Sequence, residues 1–230
     1  QKVLTEFGAE SLKPGFLGGI ALSELTSIIE RVEEDGEGEQ IVSMLTTALE
    51  GEVTVEQDDL LYRVAREQLP LEEFIGRFGH RCPGEMELMN PRYQEDASYL
   101  RTLLTQLSNS TRNPAEMHRR NAARRQDVLS QLPTILSDWG ASSWEEKIRE
   151  LVDEARRLLP YRDNGKHYLM MGYELLRLAI LELAGRWQIG NDIFFLKLEE
   201  LESFETNREA VLGRAAQRRI RWQSARKLDV

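Results

Sequence analysis

Chemistry collects in one short stretch of this sequence, Gly79-His80-Arg81-Cys82-Pro83-Gly84-Glu85-Met86-Glu87-Leu88-Met89-Asn90-Pro91-Arg92-Tyr93. It holds an imidazole, two guanidiniums, two carboxylates, an amide and a thiol. The guanidiniums of Arg81 and Arg92 suit a phosphate or carboxylate, because their planar donors can meet two oxygens at once. His80 is available for proton transfer. Two prolines and two glycines forbid a regular helix here, so these groups are expected on a long loop with sharp turns. Such loops are uncommon inside helical domains and are often functional.

Three readings fit these residues. His80, Arg81, Glu85 and Arg92 can form an internal polar network that satisfies the backbone of a buried loop. Arg81 and Arg92, with Lys166, can instead recognise an anion. His80, Cys82, Glu85 and Glu87 can be written as metal ligands, although their spacing matches no zinc signature. A second polar cluster, Tyr161-Arg162-Asp163-Asn164-Gly165-Lys166-His167-Tyr168, is expected at the entrance to a helix. Free N–H groups and the helix dipole attract anions there, and Arg162, Lys166 and His167 add donors. The alternative is that Asp163 or Asn164 simply caps the helix.

The elements that must position these groups read as helices almost throughout. Helices are expected over Ile20–Val32, Ile41–Leu49, Val55–Gln68, Leu71–Phe78 and Ala97–Leu107. Asn113-Pro114-Ala115-Glu116 is a cap, a first-turn proline and an acid, starting a helix to about Leu132. Ser142 with Glu145 reads as a capping box ahead of an amphipathic helix that Pro160 ends. From Asp163 to Trp187, one stripe of Leu169, Tyr173, Leu176, Ile180, Leu183 and Trp187 runs beside a second of Met171, Leu175, Leu178 and Ala179. A helix apolar over most of its circumference is expected to be covered from several sides. A turn at Gly190-Asn191-Asp192, a short helix around Leu198–Leu201 and a last helix over Asn207–Arg226 follow. No segment alternates with period two. The expected fold is therefore all-α: an irregular multi-helix array around a central buried helix, with one long functional loop. It is expected as a single helical domain over 1–230, with a sub-boundary near 108–114.

Composition narrows the function classes. The 230 residues carry a net charge of −9, 41% hydrophobic residues and one cysteine, Cys82. A lone cysteine excludes an internal disulfide framework and suits a reducing cytoplasm, the expected location. No apolar run reaches membrane-spanning length, and no signal-peptide pattern opens the chain. Glu24–Asp59 has twelve acids against Arg31, whereas Glu205–Val230 has seven bases against three acids. Those acids interrupt the basic stretch and Trp222 is its one aromatic, so no nucleic-acid partner is expected. Opening at Gln1 rather than Met, the chain is expected to be a fragment of a larger multidomain protein.

The string Phe78–Tyr93, followed by Glu95-Asp96, resembles the phosphoenolpyruvate synthase and pyruvate phosphate dikinase-like family, particularly its rifampicin phosphotransferase branch. Members carry a similar glycine-histidine-arginine-glycine-proline-glycine-glutamate string leading to asparagine-proline-arginine. Leu45–Glu67, Arg162–Leu183 and Asp192–Leu201 look like the same region in order. Cys82 departs from the pattern, standing where the family usually has glycine.

The resemblance implies a division of labour in which an ATP-grasp domain phosphorylates a histidine on a swivelling domain, which carries the phosphoryl group to a separate acceptor site. This chain looks like the helical middle region of such an ATP-dependent phosphotransferase. It has no glycine-rich nucleotide loop, and none of His80, His118 or His167 sits in the threonine-serine-histidine setting of the phosphorylated residue. ATP and Mg are thus expected in other domains of the parent, with no cofactor in this chain. The expected partners are those ATP-grasp and phosphohistidine domains and a small-molecule acceptor. On this reading Arg81 and Arg92 are electrostatic clamps, and His80 accepts the substrate hydroxyl's proton or anchors a hydrogen bond. Glu85 and Glu87 orient, while Asn90, Arg162 and Lys166 help to bind substrate. Two alternatives stand beside it. One is a binding module for a bulky apolar ligand lined by Met86, Met89, Met170 and Met171; the other is an independent metal-dependent hydrolase.

Overall fold

The apolar periodicity becomes helix over most of the chain, and the computed structural model describes residues 2–33 and 36–227. No strand occurs among the described residues, as expected for an all-α fold. The chain divides into two compact units, Gln1–His80 with Tyr93–Met170, and Arg81–Arg92 with Met171–Val230. The division falls inside the expected functional loop and inside one helix.

In the first unit, α1 (Lys2–Val32) packs along α7 (Glu145–Leu158), and α2 (Gly38–Leu45) lies against both α1 and α6 (Pro114–Asp138). Leu25, Ile29, Leu45, Leu132, Leu136, Ile148 and Val152 meet there with almost no exposed surface. A second core joins α3 (Val53–Ala65), α4 (Leu71–Phe78) and α5 (Ser98–Ser108) through Leu61, Phe74, Phe78, Leu100 and Tyr93. The first helix is much longer than expected and runs straight through Pro14. A proline inside a helix removes a backbone bond and crowds the preceding turn. Close packing offsets that cost: a Cβ added at Gly15 would stand 2.9 Å from the Arg162 backbone nitrogen, and one at Gly18 2.7 Å from that of Leu159.

Caps explain the other shifts. Asn113 accepts the Glu116 N–H at 3.2 Å, as its spacing predicts, but α6 continues through Pro133 to Asp138. The capping box expected at Ser142 does not form. Ser142–Trp144 instead makes a tight 3₁₀ turn, with Trp144 N–H donating to the Ala141 carbonyl, so backbone does the work of the side-chain cap. Pro160, read as a stop, also opens α8 (Pro160–Trp187), a first-turn position where its missing N–H costs nothing.

The second unit holds residues 81–92, the part of α8 from Met171 onward, a 3₁₀ segment Gly190–Phe195, α9 (Leu198–Glu202) and α10 (Arg208–Arg226). Trp187 stacks on Phe204 and Phe195 meets Trp222 edge to face. Glu200 ties α9 to α10 by accepting from Arg214 at 2.7 Å and from Arg218 at 2.6 and 2.9 Å. The expectation of a central helix covered from several sides is corrected here. Met171, Leu175, Leu178 and Ala179, the second apolar stripe of α8, are all exposed, Leu175 by 68%. The sequence pattern counts apolar residues around the helix but says nothing about whether a partner is present to cover them.

Candidate functional site

The loop after α4 is closed at its base within the first unit, where Gln94 N–H donates to the Gly79 carbonyl at 3.1 Å. His80 belongs to that unit and is buried against His167 of α8, the rings meeting edge to face at 4.7 Å. Phe78 contacts the same His167 ring at 5.5 Å. The sequence places His167 in a separate cluster; nothing in the spacing of the two imidazoles reveals that the fold brings them together.

Residues 81–92 are organised within the second unit by their own side chains. Arg92 is completely buried, and its Nη1 donates to the Glu85 carbonyl at 3.0 Å and contacts Cys82 Sγ at 2.7 Å. Asn90 donates to the carbonyls of Pro83 and Gly84, both at 3.1 Å. Gly84 has φ +60°, and a Cβ there would stand 2.8 Å from the Asn90 amide nitrogen, so the turn requires glycine. Glu87 accepts the Met89 N–H at 3.0 Å. Arg177, which belongs to neither apolar stripe of α8, is buried, donates to the Leu88 carbonyl and lies over the Phe194 ring.

Arg81 forms a two-pronged pair with Glu85, through Nε and through Nη2 at 3.1 Å. The Arg81 side chain is 17% exposed and that of Glu85 9%, so the pair sits at the edge of solvent and not beyond reach of it. Glu87 is exposed, and Asn90 is half-buried. Of the residues expected in an internal network, Arg81 pairs with Glu85 and Arg92 donates to the Glu85 carbonyl; Arg81 also keeps partial access to water, and Glu87 is exposed.

The second cluster is helical from its first residues, so neither Asp163 nor Asn164 is a cap. Asn164 accepts the Val53 N–H at 3.0 Å and donates to the Gly51 carbonyl at 2.9 Å, pinning the turn before α3. Arg162 is exposed beside Asp163. Glu52 is raised above the ordinary glutamate value by burial first and by the Asp163 charge second, with Arg162 opposing. Lys166 is exposed one helical turn beyond Arg162. No three His, Cys, Asp or Glu side chains converge as around a metal ion among the described residues, so the hydrolase alternative finds no ligand set there. No described helix is long and apolar enough to cross a membrane.

The loop falls within a span that matches a known family. Residues 67–163 match the family model described as the rifampicin phosphotransferase fourth domain, a span that includes the whole loop. A rifampicin phosphotransferase of Streptomyces sviceus is 29% identical over 176 residues, covering 67% of this chain and 20% of that protein. The chain thus spans about a fifth of the length of that curated relative. Loop, helices and both matches agree: this chain is similar to a helical domain of the rifampicin phosphotransferase-like branch of the phosphoenolpyruvate synthase-like family.

Proposed function

We propose that the chain is the acceptor-binding and docking domain of an ATP-dependent phosphotransferase that works through a phosphohistidine on a swivelling domain. The observation that carries this reading is that the matched span encloses a loop locked by Arg92 and Asn90, whose Arg81–Glu85 pair stands at the edge of solvent. Phosphoryl transfer demands positioning and positive charge near the moving phosphate more than covalent help from the protein. Arg81 supplies that charge, with Glu85 fixing its plane. His80 takes the acceptor hydroxyl's proton or anchors it, Glu87 orients, and Arg162 and Lys166 add binding charge. Arg92, reached by no water, acts as a positioning residue. ATP, Mg and the phosphorylated histidine belong to other domains of the longer chain, and one of those domains has apolar surface to cover on the exposed stripe of α8.

The test uses the full-length phosphotransferase that contains this chain. Arg81→Ala is expected to lower phosphoryl transfer to the acceptor by about a hundredfold, the scale of losing one preorganised charge-stabilising donor. ATP-dependent phosphorylation of the histidine should continue at its normal rate. Undiminished transfer in a folded Arg81→Ala protein would refute the assignment.

A binding module without a part in transfer draws on a different observation, a cleft of about 310 Å³ in the second unit where Met89 lies beside Phe194, Phe195 and Trp222. Of the other methionines expected in such a groove, Met170 is buried and Met86 and Met171 are exposed. Thermal stabilisation by an apolar ligand that persists in His80→Ala would favour that reading.

A further inference from the structure

A cleft of about 980 Å³ opens in the first unit, and none of the residues assigned above to phosphoryl transfer lines it. Its size is at the upper end of small-molecule sites. The end of α7 contributes Arg156 and Arg157, and the start of α8 contributes Tyr161 and Tyr168. Asn164, through its two bonds to residues 51 and 53, makes that side of the cleft rigid.

Two features point to what would fill it. The Arg156 Nε is buried and has no hydrogen-bond acceptor among the described residues. Its Nη1 lies 3.6 Å from Asp153, beyond a good hydrogen bond, and the Asp153 side chain is 78% exposed, where water weakens its pull. A buried donor without an acceptor is costly, so such a group calls for a ligand atom or water. Arg157 has no carboxylate partner among the described residues. Of the acids nearby, Glu10 pairs with Lys13 at 2.6 Å, and Glu50, with its side chain 83% exposed, lies 3.9 Å from Arg125. Arg125, which does not line the cleft, is 6% exposed and donates to the Thr47 and Ala48 carbonyls; its charged form is disfavoured first by burial and then by Arg156. The three acids that line the cleft have side chains 70%, 83% and 78% exposed, where water weakens their hold on the arginines, whereas the Arg156 Nε is buried. Tyr161 and Tyr168, 50% and 58% exposed, leave aromatic surface for a flat partner.

We propose that this cleft binds a planar aromatic acid, its ring against Tyr161 and Tyr168 and its carboxylate, sulfonate or phosphate group on Arg156 and Arg157. The site is independent of the phosphoryl-transfer reading, because none of its residues is used there. Fluorescence titration of the 230-residue chain with 8-anilinonaphthalene-1-sulfonate tests it, with uncharged N-phenyl-1-naphthylamine as the comparison. The sulfonate should bind one to one and more tightly than the neutral compound. Arg156→Gln should weaken it roughly tenfold, the scale of one hydrogen bond to a charged group. Arg157→Gln, at an exposed position, and Tyr168→Ala should each weaken it as well, and they provide the test should Arg156→Gln fail to fold. Equal affinity for the neutral probe, or sulfonate affinity unchanged in the folded arginine variants, would overturn the proposal. Arg81→Ala should leave probe affinity unaltered, so failure of the cleft and failure of the transfer site give different results.

Discussion

Arg92 and Glu200 show two ways in which this chain accommodates a buried charge. Arg92 donates through Nη1 to the Glu85 carbonyl of its own loop, whereas Glu200 draws Arg214 and Arg218 from another helix. The Arg218 hydrogen bonds hold the Glu200 carboxyl far below the usual carboxylate range, with burial opposing and the Lys197 backbone and Arg214 assisting. A depressed carboxylate stabilises the fold above its unfolded value, near 4.5, and loses that contribution as pH falls through the folded value. Glu200→Gln should therefore be less stable than the parent chain by about 2 kcal/mol at neutral pH. The gap should shrink steadily below about pH 4.5. Urea midpoints at pH 7 and pH 3 check this, and a gap that stays constant would rule out the pairing as its source. The sequence sets this basic stretch apart from a nucleic-acid tail by the acids that interrupt it, and in the fold Glu200 and Asp192 are its acidic neighbours. It did not single out Glu200, because the pairing depends on a turn that composition does not describe.

Among the elements, α1 was the least legible and is the most revealing. Gly8, Pro14, Gly15, Gly18 and Gly19 each read as punctuation, so only the part from Ile20 was expected to be helix. Packing against α7 and the start of α8 overrides those local preferences, and it uses the glycines unequally. A Cβ at Gly18 would collide with the Leu159 and Leu158 backbone at 2.7 and 3.0 Å, whereas one at Gly19 meets nothing within 4 Å. Neighbouring alanine substitutions should thus have opposite signs. Gly18→Ala should lose about 1–3 kcal/mol through overpacking, outweighing its helix preference. Gly19→Ala should gain about 0.5–1 kcal/mol from that preference alone. Denaturant midpoints of the two variants decide it; a Gly18→Ala chain as stable as Gly19→Ala would mean the helices can separate freely. The candidate loop was legible for the opposite reason: its glycines and prolines announce irregular backbone, and the structure has no helix there. The edge-to-face imidazoles and the role of Arg177 were not legible, since both depend on which turn of α8 meets which residue.

For the whole molecule, the division into two units assigns the four tryptophans evenly. Trp139 and Trp144 pack on the core of α1, α2, α6 and α7, while Trp187 and Trp222 lie in the unit of α9 and α10. Each pair can report on its own surroundings. With Trp139 and Trp144 replaced by Phe, the remaining signal should follow the loss caused by Glu200→Gln. With Trp187 and Trp222 replaced, it should follow Gly18→Ala. Identical midpoints from both pairs in every variant would show that the units unfold only together. The exposed stripe Met171, Leu175, Leu178 and Ala179 also belongs to this scale. Sequence periodicity identified it as apolar, but a helix that would be buried in a longer protein and one buried in its own domain share the same pattern.

Cys82, where the resembling family usually has glycine, equips the chain with a gauge of its own loop. It is the sole thiol of the 230 residues and is buried, in contact with Arg92. A thiol reagent reaches that sulfur when Cys82 parts from Arg92, so the labelling rate under native conditions measures how often the loop opens. Opening at the proposed transfer site can therefore be timed without adding a probe, a substrate or a mutation.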